Sequence, residues 1–318
     1  MTVSPLKISF VPFSPLTEWK QASFEKKALR VFIKRDDLLR PTEPSGNKWR
    51  KLQYNLLNMQ TLGMKRVVTM GGAYSNHLYA LAAAGKEFGL QTVAVVRGEE
   101  AARPSPTLNF ARACGMTLRF LSRTDYKAAR LNPANLLNDL QTHYGAFYFL
   151  PEGGANDLAV KGCAEILPEI KEQLGGSPDY LCLPCGTGAT LHGILSSADE
   201  KVHTLGFAVL NGGFLKQEAL DYLASKGQTF KRPTFDIIED YRFGGYGKWT
   251  PELIDFINDF KRARGVALDP VYTGKLFYGV ADLVERDYFP AGATVVVLHT
   301  GGLQGIEGFN ERFGNLII

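Results

Sequence analysis

From residue 66 onward the chain alternates short β-rich runs with helical ones, and no other feature restricts the fold as strongly. RVVTM (66–70) leads to SNHLYALAAAGKEFG (75–89), and TVAVVRG (92–98) to SPTLNFARACG (105–115). TLRFLSR (117–123) leads to a polar helical stretch, and AFYFLPEG (146–153) to NDLAVKGCAEILPEIKEQL (156–174). The pattern resumes with DYLCLPCG (179–186) before TGATLHGILSS (187–197), then VHTLGFAVL (202–210), then ATVVVLHTGG (293–302) before a closing apolar segment. Parallel neighbours need a crossover long enough for a helix, so the repetition predicts an α/β protein with a mostly parallel, helix-covered sheet. One long sheet and two smaller ones both satisfy it, and 318 residues give length for about two domains. Residues 211–265 carry weaker periodicity, with NGG, RFGGYGKW and many aromatics. They predict long loops near a site, followed by a helix over PELIDFINDFKRAR (251–264).

Three glycine-containing turns follow predicted strands: GGAYSN (71–76), CGTGAT (185–190) and HTGG (299–302). Ligands of open α/β sheets bind at that strand edge, and a glycine turn opening a helix presents free N–H groups to an anion. CGTGAT is the best phosphate cradle. Gly186 and Gly188 permit close approach, Thr187 and Thr190 add hydroxyls, and the following helix adds its dipole. A tight turn that needs glycine for geometry is the plainer explanation, but it leaves the hydroxyls unexplained. Neither GGAYSNHL nor CGTGATLHG reads G-x-G-x-x-G, and no Gly-Lys-Ser/Thr occurs after a glycine loop, so dinucleotide and P-loop signatures are absent.

The stretch EPSGNKWRKLQY (43–54) passes from turn residues into a helical pattern with Lys48 at the seam. Ser45, Gly46 and Asn47 suit a loop and an N-cap, and Leu52, Leu56 and Leu57 mark a buried face, which puts Lys48 in the first turn. The positive end of a helix opposes an ammonium and favours the neutral, nucleophilic amine. A solvated lysine is the ordinary alternative. An activated lysine together with a phosphate cradle points to pyridoxal 5'-phosphate, which needs an amine for its aldehyde and an anion site for its phosphate.

Composition narrows the partners. The 36 basic and 32 acidic residues, net +4, are spread without a basic run or aromatic-basic ladder, which argues against nucleic acid and for a small or anionic ligand. MTVSPLKISFVPFSPL lacks the basic head and long apolar core of a signal peptide, and no apolar stretch reaches membrane-spanning length. A cytoplasmic protein is expected. Cys114, Cys163, Cys182 and Cys185 are too few for a disulfide framework. Cys182 and Cys185 form a lone C-x-x-C with no second pair, and the five histidines lack ligand spacing, so no metal is expected.

GNKWRKL (46–52), KRDDL (34–38), GGAYSNH (71–77), CGTGATLHG (185–193), DPVYTGK (269–275) and HTGG (299–302) occur in order over nearly the whole chain. Together they resemble the 1-aminocyclopropane-1-carboxylate deaminase / D-cysteine desulfhydrase family. The resemblance implies the tryptophan-synthase-β-like fold of pyridoxal-phosphate enzymes, with two open, mostly parallel twisted sheets covered by helices. It implies a larger domain from residues 1–49 and 156–318, a smaller one from 50–155, the cofactor between them, and a homodimer. Lys48 would hold the cofactor as a Schiff base and Asn76 its ring hydroxyl. Gly186, Thr187, Gly188, Ala189 and Thr190 would hold its phosphate. Ser75 and nearby backbone would receive the substrate carboxylate, and Tyr272 and Tyr246 match active-site tyrosines able to move or orient a proton. His77 would touch the substrate or orient its loop.

Thr273 and Thr300 point to the branch. Deaminases of the family carry Glu and Leu there, and a carboxylate near the ring nitrogen strengthens the electron sink that opening a cyclopropane requires. D-Cysteine, with an α-hydrogen and a thiol leaving group, needs less. The expected activity is therefore α,β-elimination from D-cysteine to pyruvate, ammonia and sulfide. Cyclopropane ring opening and a cofactor-binding protein with little turnover are the alternatives. Tyr74 replaces the family's usual Gln beside the substrate.

Overall fold

In the computed structural model, which describes residues 13–101, 104–226 and 234–318, the alternation resolves into two sheets rather than one. The larger contains β1 (Leu16–Glu18), β2 (Arg30–Arg35), β7 (Tyr180–Cys185), β8 (His203–Ala208), β9 (Phe235–Ile238) and β10 (Thr294–His299). Its order is β1-β2-β10-β7-β8-β9, parallel except for β1, which pairs antiparallel with β2. The smaller contains β3 (Arg66–Gly72), β4 (Gln91–Arg97), β5 (Thr117–Leu121) and β6 (Tyr148–Leu150) in the order β5-β4-β3-β6, all parallel.

The Val-rich strands read as continuous apolar runs because both faces are covered. In β10, Val295 and Val297 pack with Trp19 and Phe277 on one side, while Val296 and Leu298 pack with Leu181 and Ile194 on the other. In the small sheet Val67 of β3 faces Leu52, Leu56 and Leu81, whereas Val68 and Met70 face Tyr126 and Leu140.

Helix Gly46–Thr61 joins the two sheets. Trp49, Leu52, Leu56 and Met59 bury in the core beside the small sheet, as expected of Leu52 and Leu56, whereas Leu57 is only half-buried. Arg50, 1% exposed, points the other way. Its Nε and Nη2 donate to Asp36 (2.7 and 2.8 Å) and its Nη1 and Nη2 to Glu169 (2.7 and 2.9 Å). Lys34 Nζ lies 2.8 Å from Glu169 Oε2, so the helix is tied to β2 and to helix Ile166–Leu174 through buried charges. Ser45 is the N-cap residue, but its hydroxyl closes the preceding turn by accepting from Arg40 N (3.3 Å) instead of capping.

The expectation of loops through 211–265 needs correction. This stretch holds helix Leu215–Ser225 and strand β9 before a long loop and helix Pro251–Arg264. The first of these helices buries only Leu215, Ala219 and Leu223, a stripe too thin to show as periodicity. Strands β1 and β2 precede the region of visible alternation. Residues 1–12 of the expected leaderless N-terminus lie outside the described residues, and no described helix is long and apolar enough to cross a membrane.

Candidate active site

Both sheets change direction at an inner strand. The chain runs outward from β3 through β4 and β5 and returns to the other side of β3 as β6; it runs from β7 through β8 and β9 and returns beside β7 as β10. Crevices at such switch points, outside the carboxyl ends of the strands, are where α/β sheets bind ligands. A cavity of about 420 Å³ lies there. Its wall takes Gly72 at the end of β3 and Ala73 after it, Arg97 from β4, Glu152 and Gly153 after β6, Gly186 to Gly188 after β7, and Thr300 to Gly302 after β10.

Lys48 and Lys51 reach this wall from successive turns of helix Gly46–Thr61. Burial holds Lys48 well below the usual lysine range, and the neighbouring Lys51 pushes it further. Sequence reasoning credited the helix terminus and passed over Lys51, which repeats at helical spacing and could have been noticed. Lys51 is itself buried and lowered by that burial. Among the described residues no carboxylate lies within ion-pair distance of it. A buried ammonium without an acid calls for an anionic ligand.

The CGTGAT turn supplies the rest of that anion site. Gly188, at φ +77°, is the N-cap of helix Ala189–Ser197, a conformation that suits glycine. Thr190 Oγ1 accepts from Asn47 Nδ2 (3.3 Å), which leaves its own proton to donate. Gly186, Thr187, Gly188 and Thr190 line the cavity, whereas Ala189 is buried behind the wall.

Across the cavity Tyr246 and Tyr272 meet edge to face at 6.0 Å, their hydroxyls interacting through a side-chain hydrogen bond. Burial, then Tyr246, Asp269 and Glu152, raise the Tyr272 hydroxyl well above its ordinary value, so it stays protonated. Asp269 places it: Oδ1 accepts from the N–H of Val271 (2.9 Å) and Tyr272 (2.8 Å), and Oδ2 from the N–H (2.9 Å) and hydroxyl (2.7 Å) of Thr273.

A model of the family described as pyridoxal-phosphate dependent enzyme matches residues 10–301. The chain is 30% identical over 326 residues to an Arabidopsis thaliana protein named bifunctional D-cysteine desulfhydrase/1-aminocyclopropane-1-carboxylate deaminase, mitochondrial, covering 96% of this chain and 80% of that one. It is 29% identical over 317 residues to a Pyrococcus horikoshii protein carrying the provisional name 1-aminocyclopropane-1-carboxylate deaminase, covering 98% of this chain and 96% of that one. A crystal structure of an ACC deaminase homologue matches with a TM-score of 0.83 at 28% identity, over 98% of this chain and 96% of that one. The chain belongs to the 1-aminocyclopropane-1-carboxylate deaminase / D-cysteine desulfhydrase family of pyridoxal-phosphate enzymes.

Pyridoxal phosphate is thus the cofactor of this deaminase/desulfhydrase-family enzyme, and the cavity suits it. An amine held toward neutrality matches the aldehyde, and an unpaired buried ammonium beside glycine N–H groups and threonine hydroxyls matches the phosphate. Ser75 is the N-cap of helix Asn76–Phe88, its Oγ accepting from Leu78 N (3.3 Å). Asn76 lines the wall with its Nδ2 packed over Gly302. Tyr74, 47% exposed, stands at the mouth with its ring against Gly308.

His77 is 1% exposed and its protonation follows from its neighbours. Thr69 Oγ1 gives its one proton to Leu150 O (2.8 Å), so His77 Nε2, 2.9 Å away, must donate to Thr69. That leaves Nδ1 bare and without a donor. Burial, with Lys48 and Lys51, pushes the imidazole down to about 3. His77 is therefore a neutral wall of the enzyme and carries no charge for a carboxylate.

The two branch positions separate. Thr300 lines the cavity. Thr273 is fully buried, spends its hydroxyl on Asp269 and does not line the cavity, so the geometry places it in the support of Tyr272. Cys182 and Cys185 are buried free thiols, the latter pushed up to about 12 by burial. Among the described residues no group of three or more His, Cys, Asp or Glu could hold a metal ion.

Proposed function

We propose that the enzyme is a lyase acting on D-cysteine or a closely related small amino acid, yielding pyruvate, ammonia and sulfide. The observation that carries this reading is the poverty of the wall in acids: among the described residues its one carboxylate, Glu152, is engaged by Tyr126 and Arg130, and position 300 is a neutral threonine. Such a wall suits the easier elimination over ring opening of a substrate without an α-hydrogen.

When bound, the cofactor withdraws electrons from the substrate α-carbon. Lys48 is the residue that anchors it and whose Nζ then takes the α-proton. The Cβ–S bond breaks, sulfur leaves with the electron pair, and the protonated Tyr272 hydroxyl, oriented by Tyr246, is placed to supply its proton. Water hydrolyses the released enamine to pyruvate and ammonia. Lys51 and the Gly186 to Thr190 turn hold the phosphate, with Asn76 at the ring.

The Arabidopsis relative is named for both activities, which makes 1-aminocyclopropane-1-carboxylate the second reading. Comparing kcat/KM for pyruvate plus sulfide from D-cysteine with kcat/KM for 2-oxobutanoate from the cyclopropane substrate decides between them. The expected result is a clear preference for D-cysteine. A preference for the cyclopropane overturns the choice, and inactivity toward both with cofactor attached to Lys48 assigns the Tyr74-lined mouth to a different amino acid.

A further inference from the structure

Among the described residues four basic side chains line the cavity, Lys48, Lys51, Arg97 and Arg130, against the single carboxylate of Glu152. That carboxylate is taken: the Tyr126 hydroxyl donates to Oε1 (2.9 Å) and Arg130 Nη1 to Oε2 (3.4 Å). Lys48 is held toward the neutral amine and Lys51 is matched by the phosphate. Arg97 remains. Among the described residues no carboxylate lies within ion-pair distance of it, and its guanidinium rests 5.9 Å from the centre of the Tyr126 ring.

Its position is specific. Arg97 ends β4, and its Nη2 lies 3.4 Å from the point a β-carbon on Gly72 would occupy, beside the turn that leads into Ser75. Tyr246 lines the same cavity, and the Arg97 charge bears on its hydroxyl. Helix Asn76–Phe88 opens at the same corner; Ser75 Oγ takes the N–H of Leu78, while those of Asn76 and His77 have no acceptor inside the helix.

We propose that Arg97 is a substrate-binding residue, receiving the α-carboxylate of the amino acid at the cavity mouth together with the first-turn N–H groups of helix Asn76–Phe88. The proposal rests on the reading of the cavity as an amino-acid site. A zwitterionic amino acid brings one carboxylate, and among the described residues the wall has one cation without a partner, Arg97, exposed at the mouth. A guanidinium fork pairs with a carboxylate through two parallel hydrogen bonds, which fixes the α-carbon as well as attracting the substrate.

The test titrates the visible absorbance of the cofactor-loaded enzyme with D-alanine, which has a carboxylate but no β leaving group, and with ethylamine, the same skeleton without the carboxylate. Arg97→Gln should raise the half-saturating D-alanine concentration about ten- to a hundredfold, the value of a charged hydrogen bond, and leave ethylamine unchanged. Arg97→Lys, which keeps charge but loses the fork, should fall between. Equal weakening of both ligands, or no weakening of D-alanine, overturns the role of Arg97 alone. A wild-type enzyme that does not respond to D-alanine overturns the amino-acid reading together with it.

Discussion

The carbonyl oxygen of Thr300 lies 2.4 Å from the point where a β-carbon on Gly46 would sit, and the same oxygen accepts from Asn47 N at 3.1 Å. The start of the helix carrying Lys48 is therefore seated on the turn that follows β10, with backbone against backbone. Gly46 also holds φ at +63°, a left-handed conformation that a side chain resists.

Gly46→Ala should thus push the helix off its seat. Overpacking of this kind costs about 1–3 kcal/mol, and here it acts two residues from Lys48. The expected outcome is a lower midpoint in urea and weaker cofactor retention on dialysis, the second because Lys48 moves relative to the 186–190 turn. Loss of stability with cofactor binding intact would show that the helix start can shift without disturbing the site.

The two cavity lysines should fail differently. Lys48→Ala is expected to abolish the visible absorbance of the amine-linked cofactor, and borohydride reduction with peptide mapping should place the label on Lys48 in the parent. Lys51→Met should keep that absorbance but raise the cofactor dissociation constant about ten- to a hundredfold, through loss of a charged hydrogen bond to phosphate. Labelling of Lys51 in place of Lys48 would reverse the two roles.

How much of this was legible beforehand depends on sequence separation. The seven strands from β3 to β8 and β10, apart from β9, showed as apolar runs, and Lys48 and the CGTGAT turn each lie within one local motif. Lys51 sat in the same motif but needed the knowledge that no acid would reach it. Arg97 and Glu152 acquire meaning only from residues distant in sequence, the Gly72 turn and helix Arg123–Leu131, whereas Asp269 acts on its own turn through Val271, Tyr272 and Thr273. Thr273 is the instructive case: the position of the family's deaminase glutamate suggested a place near the cofactor ring, but helix Thr273–Glu285 begins there and the side chain bonds Asp269. Strand β2 escaped notice because Lys34 is buried at its end, paired with Glu169 in a way no local pattern announces.

His77 predicts an acid sensitivity. Its folded value of about 3 lies below the ordinary 6.5, so between those values the unfolded chain binds a proton that the folded one refuses. Stability therefore falls as pH drops through this window, by about 2 kcal/mol from pH 7 to pH 5 for a shift of this size. His77→Gln, which can still donate to Thr69 but cannot titrate, should flatten that part of the pH dependence in urea titrations. An unchanged slope would mean that His77 is already protonated or solvated in the native enzyme.

Lys275 offers the same sign in an alkaline window and a link to the tyrosine pair. It is 1% exposed, and its Nζ donates to the carbonyls of Arg242 and Gly245, both at 2.7 Å, pinning the loop that carries Tyr246. Burial lowers it to about 8 from 10.5, with Asp269 opposing. Between pH 8 and 10.5 the unfolded chain keeps a proton that the folded one has shed, so stability from this group rises with pH, by about 2 kcal/mol from pH 7.5 to 9.5. Measurements stop there because the raised tyrosines act in the other direction above pH 10. Lys275→Met should remove the rise and leave two carbonyls without donors, at about 1–3 kcal/mol each. It should also lower kcat/KM to the level of Tyr246→Phe, because a loosened loop no longer holds the Tyr246 oxygen against Tyr272. Retention of full activity in Lys275→Met, alongside the stability loss, would show that Tyr246 is positioned by its ring contact with Tyr272 and not by the loop.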